Sequence, residues 1–530
     1  MNIIKHFINK SKSSSTSNSI QSDTVFQADP LSCNIQENIN SINKKTGSSS
    51  DIVIRELTGG ADNSVRIAVL YTEGLVDKEY IVDYVLENIA EGLKGNSLNQ
   101  QNCFDALKGV DLPVASIKVI EKIDNLFTDL LSGETIILID GFNQCLSITS
   151  KKWIDRGVQE PSSQTVVRGP KDGFTETLRT NTALIRRRIR DPNLWIETKQ
   201  IGRRTKTDVA VAYIKGIAND KIIQELYTRL DKIDIDGILE SGYIEELIQD
   251  EGFTVFPTVY NTERPDVVAA GLLSGRIAII VDGTPFVLLI PVLFVQFFQA
   301  SEDYYNRADI STLIRILRFI CFMLALLVPA TYVAITTFHP EMIPTTLLTS
   351  LASQREGVPF PAAVEALLME VTFEVLREAG IRMPRAIGSA ISIVGALVLG
   401  QAAVEAGIVS PIMVIIVSFT AICSFVSPSF NMAMSIRMLR FAFLLLAATF
   451  GLFGIALGLI TMVLHLCSLR SFGIPYLYPM GPFNLEDQED SVIRVNRRNM
   501  VTRSRLINED DVVREGASLQ KETQDKGDEQ

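Results

Sequence analysis

The feature that most constrains this chain is a set of long apolar stretches in its second half. A bilayer core is crossed by a helix of about 20 apolar residues. Four stretches meet or approach that length and are predicted as full spans: 319–338, 386–404, 411–430 and 441–467. A helical transmembrane domain is therefore expected over residues 285–470.

Two further stretches of this domain are ambiguous. Residues 285–300 are too short for a simple span and contain Pro291, so they fit a re-entrant, interfacial or tilted segment. Residues 361–380 form an acid-rich amphipathic helix. The count of membrane segments is therefore four to six. Gly454 and Gly458 form a GxxxG pair in the last stretch, a spacing that favours close helix packing.

The rest of the chain predicts a soluble region before the membrane domain. Residues 1–50 are rich in Ser and Asn and are expected to be disordered. Strand-like runs such as VRIAVLY alternate with helical patterns such as DKEYIVDYVLENIAEGL. The fold class is thus an α/β region of two subdomains, 51–155 and 156–284, followed by the α-helical transmembrane domain. Residues 471–530 are expected to form a polar cytoplasmic tail, with its last part disordered.

Composition and motifs exclude several classes of function. The net charge of −11 argues against a general nucleic-acid binder. The six cysteines and three histidines are scattered, so neither a metal site nor a disulfide framework is expected. The chain has no phosphate-binding loop, dinucleotide fingerprint or nucleophile elbow, so we expect no cofactor and no enzymatic activity.

The orientation of the chain in the membrane is predicted from its N-terminus and its positive charges. The N-terminus lacks the apolar core and cleavage site of a signal peptide, so the soluble region is expected to be cytoplasmic. An even number of spans places both termini on that side. The four-span count, however, leaves Arg437 and Arg440 on the opposite side, against the usual charge bias.

The acid-rich helix provides the candidate pore-lining residues Glu365, Glu370 and Glu374. Glu370 and Glu374 share one face of the helix, whereas Glu365 falls in the middle of the apolar face. Ionisable groups in a membrane usually face a partner, water or the bundle interior. Two interpretations remain open: an ion path lined by carboxylates, or an interfacial helix in which Glu365 pairs with Arg382 or Arg385.

A second candidate surface is the arginine-rich stretch VVRGPKDGFTETLRTNTALIRRRIRDP at 166–192. The spacing predicts a helix with a buried apolar stripe: Leu178, Thr182, Ile185 and Ile189. Arg186 and Arg190 lie on another face, as candidates for a subunit or subdomain interface. The acidic segment 233–252 is their expected partner.

The longest stretches together resemble one family. They include the arginine stretch, TERPDVVAAGLLSGRIAIIVDGTPFVLLIP, FFQASEDYY, FPAAVEALLMEVTFEVLREAGIRMP and PYLYPMGPFNL, and they cover most of residues 51–495. In this order they resemble the GerA family of spore germination proteins, the A subunits of nutrient germinant receptors.

The resemblance implies a multi-pass protein of the spore inner membrane. It implies a transporter-like B subunit and a lipoprotein C subunit as partners. It also implies homo-oligomerisation into a nutrient-gated channel for monovalent cations. Two alternatives remain: a paralogue resembling stage V sporulation protein AF that amplifies ion release, and a secondary transporter that binds the nutrient itself.

Overall fold

The fold consists of two antiparallel sheets followed by a bundle of apolar helices. The computed structural model describes residues 30–59, 65–94, 104, 116–152, 160–161, 164–250, 253–382, 400–484, 486–496 and 500. Helices and strands alternate along the first half of the chain, as expected. All strand pairings among these residues are antiparallel, so the helices cover the sheets without parallel crossovers.

The first sheet has five strands in the order β1-β2-β4-β5-β3. The central strands β2 and β4 are buried on both faces, which explains their continuous apolar sequences. The strands are β1 Ile52–Gly59, β2 Val65–Thr72, β3 Ile117–Ile120, β4 Glu134–Ile139 and β5 Cys145–Thr149. The helices are α1 Ile35–Thr46, α2 (Lys78–Tyr80, a π-helical turn Ile81–Leu86, and Glu87–Lys94) and α3 Ile123–Leu130.

Helix α1 corrects the expected domain boundary. The segment 1–50 was expected to be disordered, but residues 30–50 are folded, and Ile35, Ile39 and Ile42 are buried against the first sheet. The Ser/Asn-rich composition masked three isoleucines at helical spacing. Residues 1–29 lie outside the described residues.

The second sheet repeats the five-stranded arrangement with the order β6-β7-β9-β10-β8. One face packs on helices α5 and α6, and the other joins a core that continues into the apolar helices. The strands are β6 Leu194–Ile201, β7 Thr207–Ile214, β8 Tyr260–Thr262, β9 Ile277–Val281 and β10 Val287–Ile290. The helices are α4 Leu178–Arg188, α5 Asp220–Asp231, α6 Ser241–Ile248 and α7 Pro265–Leu273.

Residues 285–300 belong to this sheet and its aromatic edge, so their assignment as a candidate membrane segment is wrong. Val287–Ile290 pairs antiparallel with both β9 and β8. A 3-10 helix, Phe294–Phe298, follows and is fully buried. A strand buried on both faces has the same continuous apolar sequence as a short span, and composition alone does not separate them.

The second half of the chain is helical. Its helices are α8 Glu302–Tyr305, α9 Ala308–Phe338, α10 Thr345–Arg355, α11 Ala362–Arg382, α12 Gly400–Glu405, α13 Pro411–Phe425 and α14 Phe430–Ser468, with a 3-10 turn at Pro340–Met342. Among the described residues, α9 and α14 are long and apolar enough to cross a membrane. The predicted span 411–430 corresponds to the shorter α13. Most of the predicted span 386–404 lies outside the described residues.

Helix α14 is a hairpin. Gly451 has φ 62° and ψ −141°, which breaks the helix. A Cβ on Gly454 would lie 2.2 Å from the carbonyl oxygen of Leu446, and one on Gly458 would lie 2.9 Å from Phe443. Eight residues of straight helix would span about 12 Å, so the chain must reverse at Gly451. The expected single span 441–467 is therefore wrong, because its residues lie in two antiparallel arms. The GxxxG pair packs these two arms closely.

Both ends of this hairpin lie beside the second sheet. Ser435 donates a hydrogen bond to the carbonyl of Val255, and His465 lies 3.0 Å from the Thr254 hydroxyl. The turn at Gly451 contacts Phe338, the last residue of α9. Helix α9 therefore runs away from the sheets, and the arms of α14 run out and back. A short ribbon of β11 Arg470–Ser471 and β12 Ile474–Pro475 follows.

Candidate functional site

The acid-rich helix α11 packs on the bundle through a narrow face. Its buried residues are only Ala362, Glu365, Ala366 and Glu370. Several large apolar residues of the same helix are exposed: Val364, Leu367, Leu368, Val371 and Val375. The two alanines join a small apolar cluster with residues of α9, α13 and α14, and Met369 and Phe373 are partly buried against it, so the carboxylates share this contact with apolar groups.

Glu365 is fully buried between α11, α10 and α13. One carboxylate oxygen accepts hydrogen bonds from the backbone N–H of Ser410 (2.6 Å) and from its hydroxyl. The other oxygen has no hydrogen-bond partner and lies 3.8 Å from Nε of Arg355. The expected pairing with Arg382 is wrong, since Arg382 binds Glu378 on its own helix at 2.7 Å. Arg385 lies outside the described residues.

Glu370 and Glu374 both face the first arm of α14. Glu370 Oε2 lies 2.6 Å from Nη1 of Arg440, and both side chains are almost completely buried. The Glu374 carboxylate accepts one hydrogen bond from Nε of Arg437, at 2.8 Å, and a second from Nη2 of the same side chain. The two acids are four residues apart and the two arginines three, so both pairs lie along one helix–helix contact.

The Glu370–Arg440 pair is incompletely satisfied. Glu370 Oε1 and two nitrogens of Arg440, Nε and Nη2, are buried without a hydrogen-bond partner. Two helix turns beyond Glu370, Arg377 lies over the ring of Phe425 at 5.3 Å. Its Nη1 is also buried without a hydrogen-bond partner. A buried charge with missing hydrogen bonds is costly, so this part of the contact is less stable than its short distance suggests.

The sequence pattern identifies the three glutamates but not their partners. In the sequence, Arg437 and Arg440 stand out only as a conflict in the charge count. They lie inside α14, which begins at Phe430, eleven residues before the predicted span at 441. The missed signal was their spacing of three residues, which places both arginines on one helix face, as the spacing of four does for Glu370 and Glu374. Among the described residues, no cluster of His, Cys, Asp or Glu is suited to hold a metal ion.

Arg186 joins the two sheets. It is fully buried, and Nε and Nη2 bind the two carboxylate oxygens of Asp51 at 2.7 and 3.1 Å. Nη2 also donates to the Ser49 hydroxyl, and Nη1 to the carbonyl of Asp191. Asp51, rather than the acidic segment 233–252, is therefore its partner.

Further contacts beside Arg186 hold the two sheets together, and we call this region the sheet joint. Arg190 is not part of it. Ser50 N–H donates to the carbonyl of Ile196 at 2.9 Å. Gly47, with φ 60°, lies so close to Trp195 that a Cβ would overlap the indole ring. The predicted stripe of Leu178, Thr182, Ile185 and Ile189 is buried. Arg190 itself is exposed.

A third charged cluster lies at the base of α9. Asp303 is buried and accepts hydrogen bonds from Arg315 at 2.9 Å and Arg318 at 2.8 Å. Arg315 also binds Asp490 at 2.8 Å, and Tyr304 donates to the same carboxylate at 2.6 Å. Burial raises the pKa of Tyr304, so its hydroxyl stays a donor. The segment after α14 is thereby attached to the start of α9.

Comparison with known proteins gives consistent matches over nearly the whole chain. The family model described as Bacillus/Clostridium GerA spore germination protein matches residues 40–506. Spore germination protein KA of Bacillus subtilis (strain 168) is 52% identical over 486 residues, which are 92% of this chain and 89% of that protein. Spore germination protein GerLA of Bacillus cereus is 40% identical over 90% of this chain and 96% of its own length.

Two other matches are a second relative from Bacillus subtilis and a crystal structure of a single domain. The protein named uncharacterized membrane protein YfkQ of Bacillus subtilis (strain 168) is 47% identical over 88% of this chain and 90% of its own length. The crystal structure of the N-terminal domain of the A subunit of the Bacillus megaterium spore germinant receptor GerK3 is 45% identical. It covers 51% of this chain and 100% of that chain, with a TM-score of 0.42.

Proposed function

The chain belongs to the GerA family of spore germination proteins, and from that premise we propose that it is the A subunit of a nutrient germinant receptor. The observation that carries this proposal is the family match over residues 40–506, supported by a spore germination protein that is 52% identical over 92% of the chain. The proposed partners are a transporter-like B subunit and a lipoprotein C subunit.

We propose that the chain crosses the spore inner membrane several times, with the two sheets on the cytoplasmic side. Helices α9 and α14 have suitable length and composition. Each arm of the α14 hairpin is about 25–30 Å long, close to the thickness of a bilayer core. Asp490 binds Arg315 at the base of α9, which supports the placement of residues 470–496 on the same side as the sheets.

The proposed activity is a nutrient-gated flux of monovalent cations through a homo-oligomer. Glu365, Glu370 and Glu374 are the proposed lining residues, since carboxylates attract cations at a membrane path. The exposed apolar face of α11 supports a position next to lipid or a neighbouring subunit. Arg186 is proposed to fix the two sheets as subdomains relative to each other, and the exposed Arg190 to contact a neighbouring subunit.

Potassium efflux from liposomes tests the proposal. The full chain is reconstituted alone and with its B and C subunits, and efflux is followed before and after a mixture of amino acids and sugars is added. The proposal predicts cation efflux that depends on this chain and rises with nutrient in the complete complex. A complete, assembled complex that never conducts potassium would contradict the channel proposal.

A further inference from the structure

Helix α11 differs from its neighbours in how it is attached. Helices α9 and α14 share a large apolar core that includes Phe322, Ala325, Phe443 and Ala447. The buried face of α11 consists of two alanines and two glutamates. The apolar contact between α11 and α14 is limited to a small cluster that includes Leu444, so the two ion pairs form a larger share of this attachment than of the one between α9 and α14. A change in charge weakens an ion pair but leaves apolar packing unaffected.

The partner surface is rigid by comparison. Arg437 and Arg440 lie on the first arm of α14, whose second arm is packed against it through Gly454 and Gly458. The same hairpin packs along α9. When α11 and α14 separate, we therefore expect α11 to move, while Arg437 and Arg440 stay in place on α14.

We propose that the pairs Glu370–Arg440 and Glu374–Arg437 form a lock that keeps the channel closed. In the closed state each carboxylate is neutralised by an arginine and attracts no cation. On opening, α11 moves away from α14, and Glu370 and Glu374 exchange their arginine partners for monovalent cations. This inference rests on the proposed channel function and assigns the regulation of the same site.

The incomplete hydrogen bonding of Glu370 and Arg440 supports this role. Three buried polar atoms of this pair have no hydrogen-bond partner in the closed arrangement. On opening, water can satisfy all three atoms and a cation can bind only the Glu370 oxygen, which offsets part of the cost of separating the charges. A pair that is short, buried and incompletely satisfied is suited to a two-state element with a small energy gap.

Charge variants in the liposome assay test the lock, with the complete receptor and without nutrient. Arg437→Gln and Arg440→Gln free a carboxylate, and each is expected to raise the unstimulated potassium efflux about tenfold. The double variant Glu374→Arg with Arg437→Glu restores an ion pair with reversed direction and is expected to return the efflux towards the wild-type level. Size-exclusion chromatography reports assembly of each variant.

The matched control is the pair Glu378–Arg382 on the same helix, which is exposed and formed within one turn. Glu378→Gln and Arg382→Gln should leave unstimulated efflux unchanged. If the wild-type receptor conducts but both lock arginine variants behave like these controls, the lock is wrong and the channel proposal stands. If an arginine variant fails to assemble, the double variant Glu374→Arg with Arg437→Glu is the test. High unstimulated efflux through this assembled variant overturns the lock. Efflux at the wild-type level supports it.

Discussion

Arg186 and Arg440 are both buried arginines that bind a carboxylate, but they differ in how completely they are satisfied. Every nitrogen of Arg186 has a partner: Asp51, the Ser49 hydroxyl or the carbonyl of Asp191. Arg440 makes one contact, to Glu370, and two of its nitrogens have no hydrogen-bond partner. The difference suggests that the joint between the sheets is permanent, whereas the contact between α11 and α14 opens.

The largest expected effect is on the sheet joint. Arg186→Ala leaves Asp51 buried without its cation, which should lower the free energy of unfolding by about 3–5 kcal/mol. Thermal unfolding of the full chain in detergent measures this effect as a lower Tm. The control is Arg55→Ala, which is exposed and should change stability by less than about 0.5 kcal/mol. Equal Tm values for the two variants would remove the basis for calling the joint permanent.

The next effect concerns the rigid hairpin that carries Arg437 and Arg440. Gly454→Ala places a Cβ 2.2 Å from a backbone carbonyl oxygen, so the two arms must separate. A loss of about 2–3 kcal/mol is expected, measured by the same thermal unfolding. Gly357→Ala is the control, because nothing lies within 4 Å of its added Cβ. If Gly454→Ala were as stable as this control, the arms would not be closely packed.

The partly buried carboxylate of Glu245 provides a third case. Burial raises the pKa of Glu245, in α6, from 4.5 to about 7, opposed by a hydrogen bond from Asn261 and reinforced by the nearby charge of Glu240. The folded state therefore holds a proton that the unfolded state loses above its pKa. This stability is fully present below pH 4.5 and is lost as the pH rises through about 7.

Glu245→Gln removes this titration. The variant is expected to be more stable than wild type by about 1–2 kcal/mol at pH 8, with little difference at pH 4.5. Tm measured across this range in both proteins gives the comparison. A constant difference in Tm between pH 4.5 and pH 8 would show that Glu245 does not keep its proton in the folded chain.

The smallest change in stability is expected when both residues of the incompletely hydrogen-bonded pair Glu370–Arg440 are replaced by apolar residues. Glu370→Leu with Arg440→Met removes the unsatisfied atoms and should change the free energy of unfolding by no more than about 1 kcal/mol. Asp51→Leu with Arg186→Met should cost more, because Ser49 and Asp191 lose a buried hydrogen-bond partner. Similar losses in both double variants, measured by thermal unfolding, would erase the distinction between the two joints.

Some features of the fold and the site were predicted from the sequence and others were not, and each outcome has a physical reason. The family resemblance is confirmed, and the helical stripe of α4 and the GxxxG packing were read from spacing, which depends only on local geometry. Residues 285–300 were misassigned because a strand buried on both faces has the same apolar sequence as a short span. Helix α1 was missed because most of its residues are polar and only its isoleucines contact the sheet.

The charge partners were the hardest to predict. Glu365 contacts Ser410, and Arg186 contacts Asp51, across separations of 45 and 135 residues. Helical periodicity identifies the face of one helix, but the identity of the facing element is a property of the tertiary fold. The reversal at Gly451 shows the same limit, since a glycine in an apolar run is compatible with a straight helix, a kink or a hairpin.

The most direct test of the central claim is a pair of distances in the complete receptor in liposomes. Spin labels at Val375 and Met438, both exposed, report the separation of α11 and α14, and labels at the exposed Arg55 and Arg190 report the sheet joint. When nutrient makes the liposomes release potassium, the first distance should lengthen while the second stays constant. Potassium release with no change between Val375 and Met438 would contradict the account.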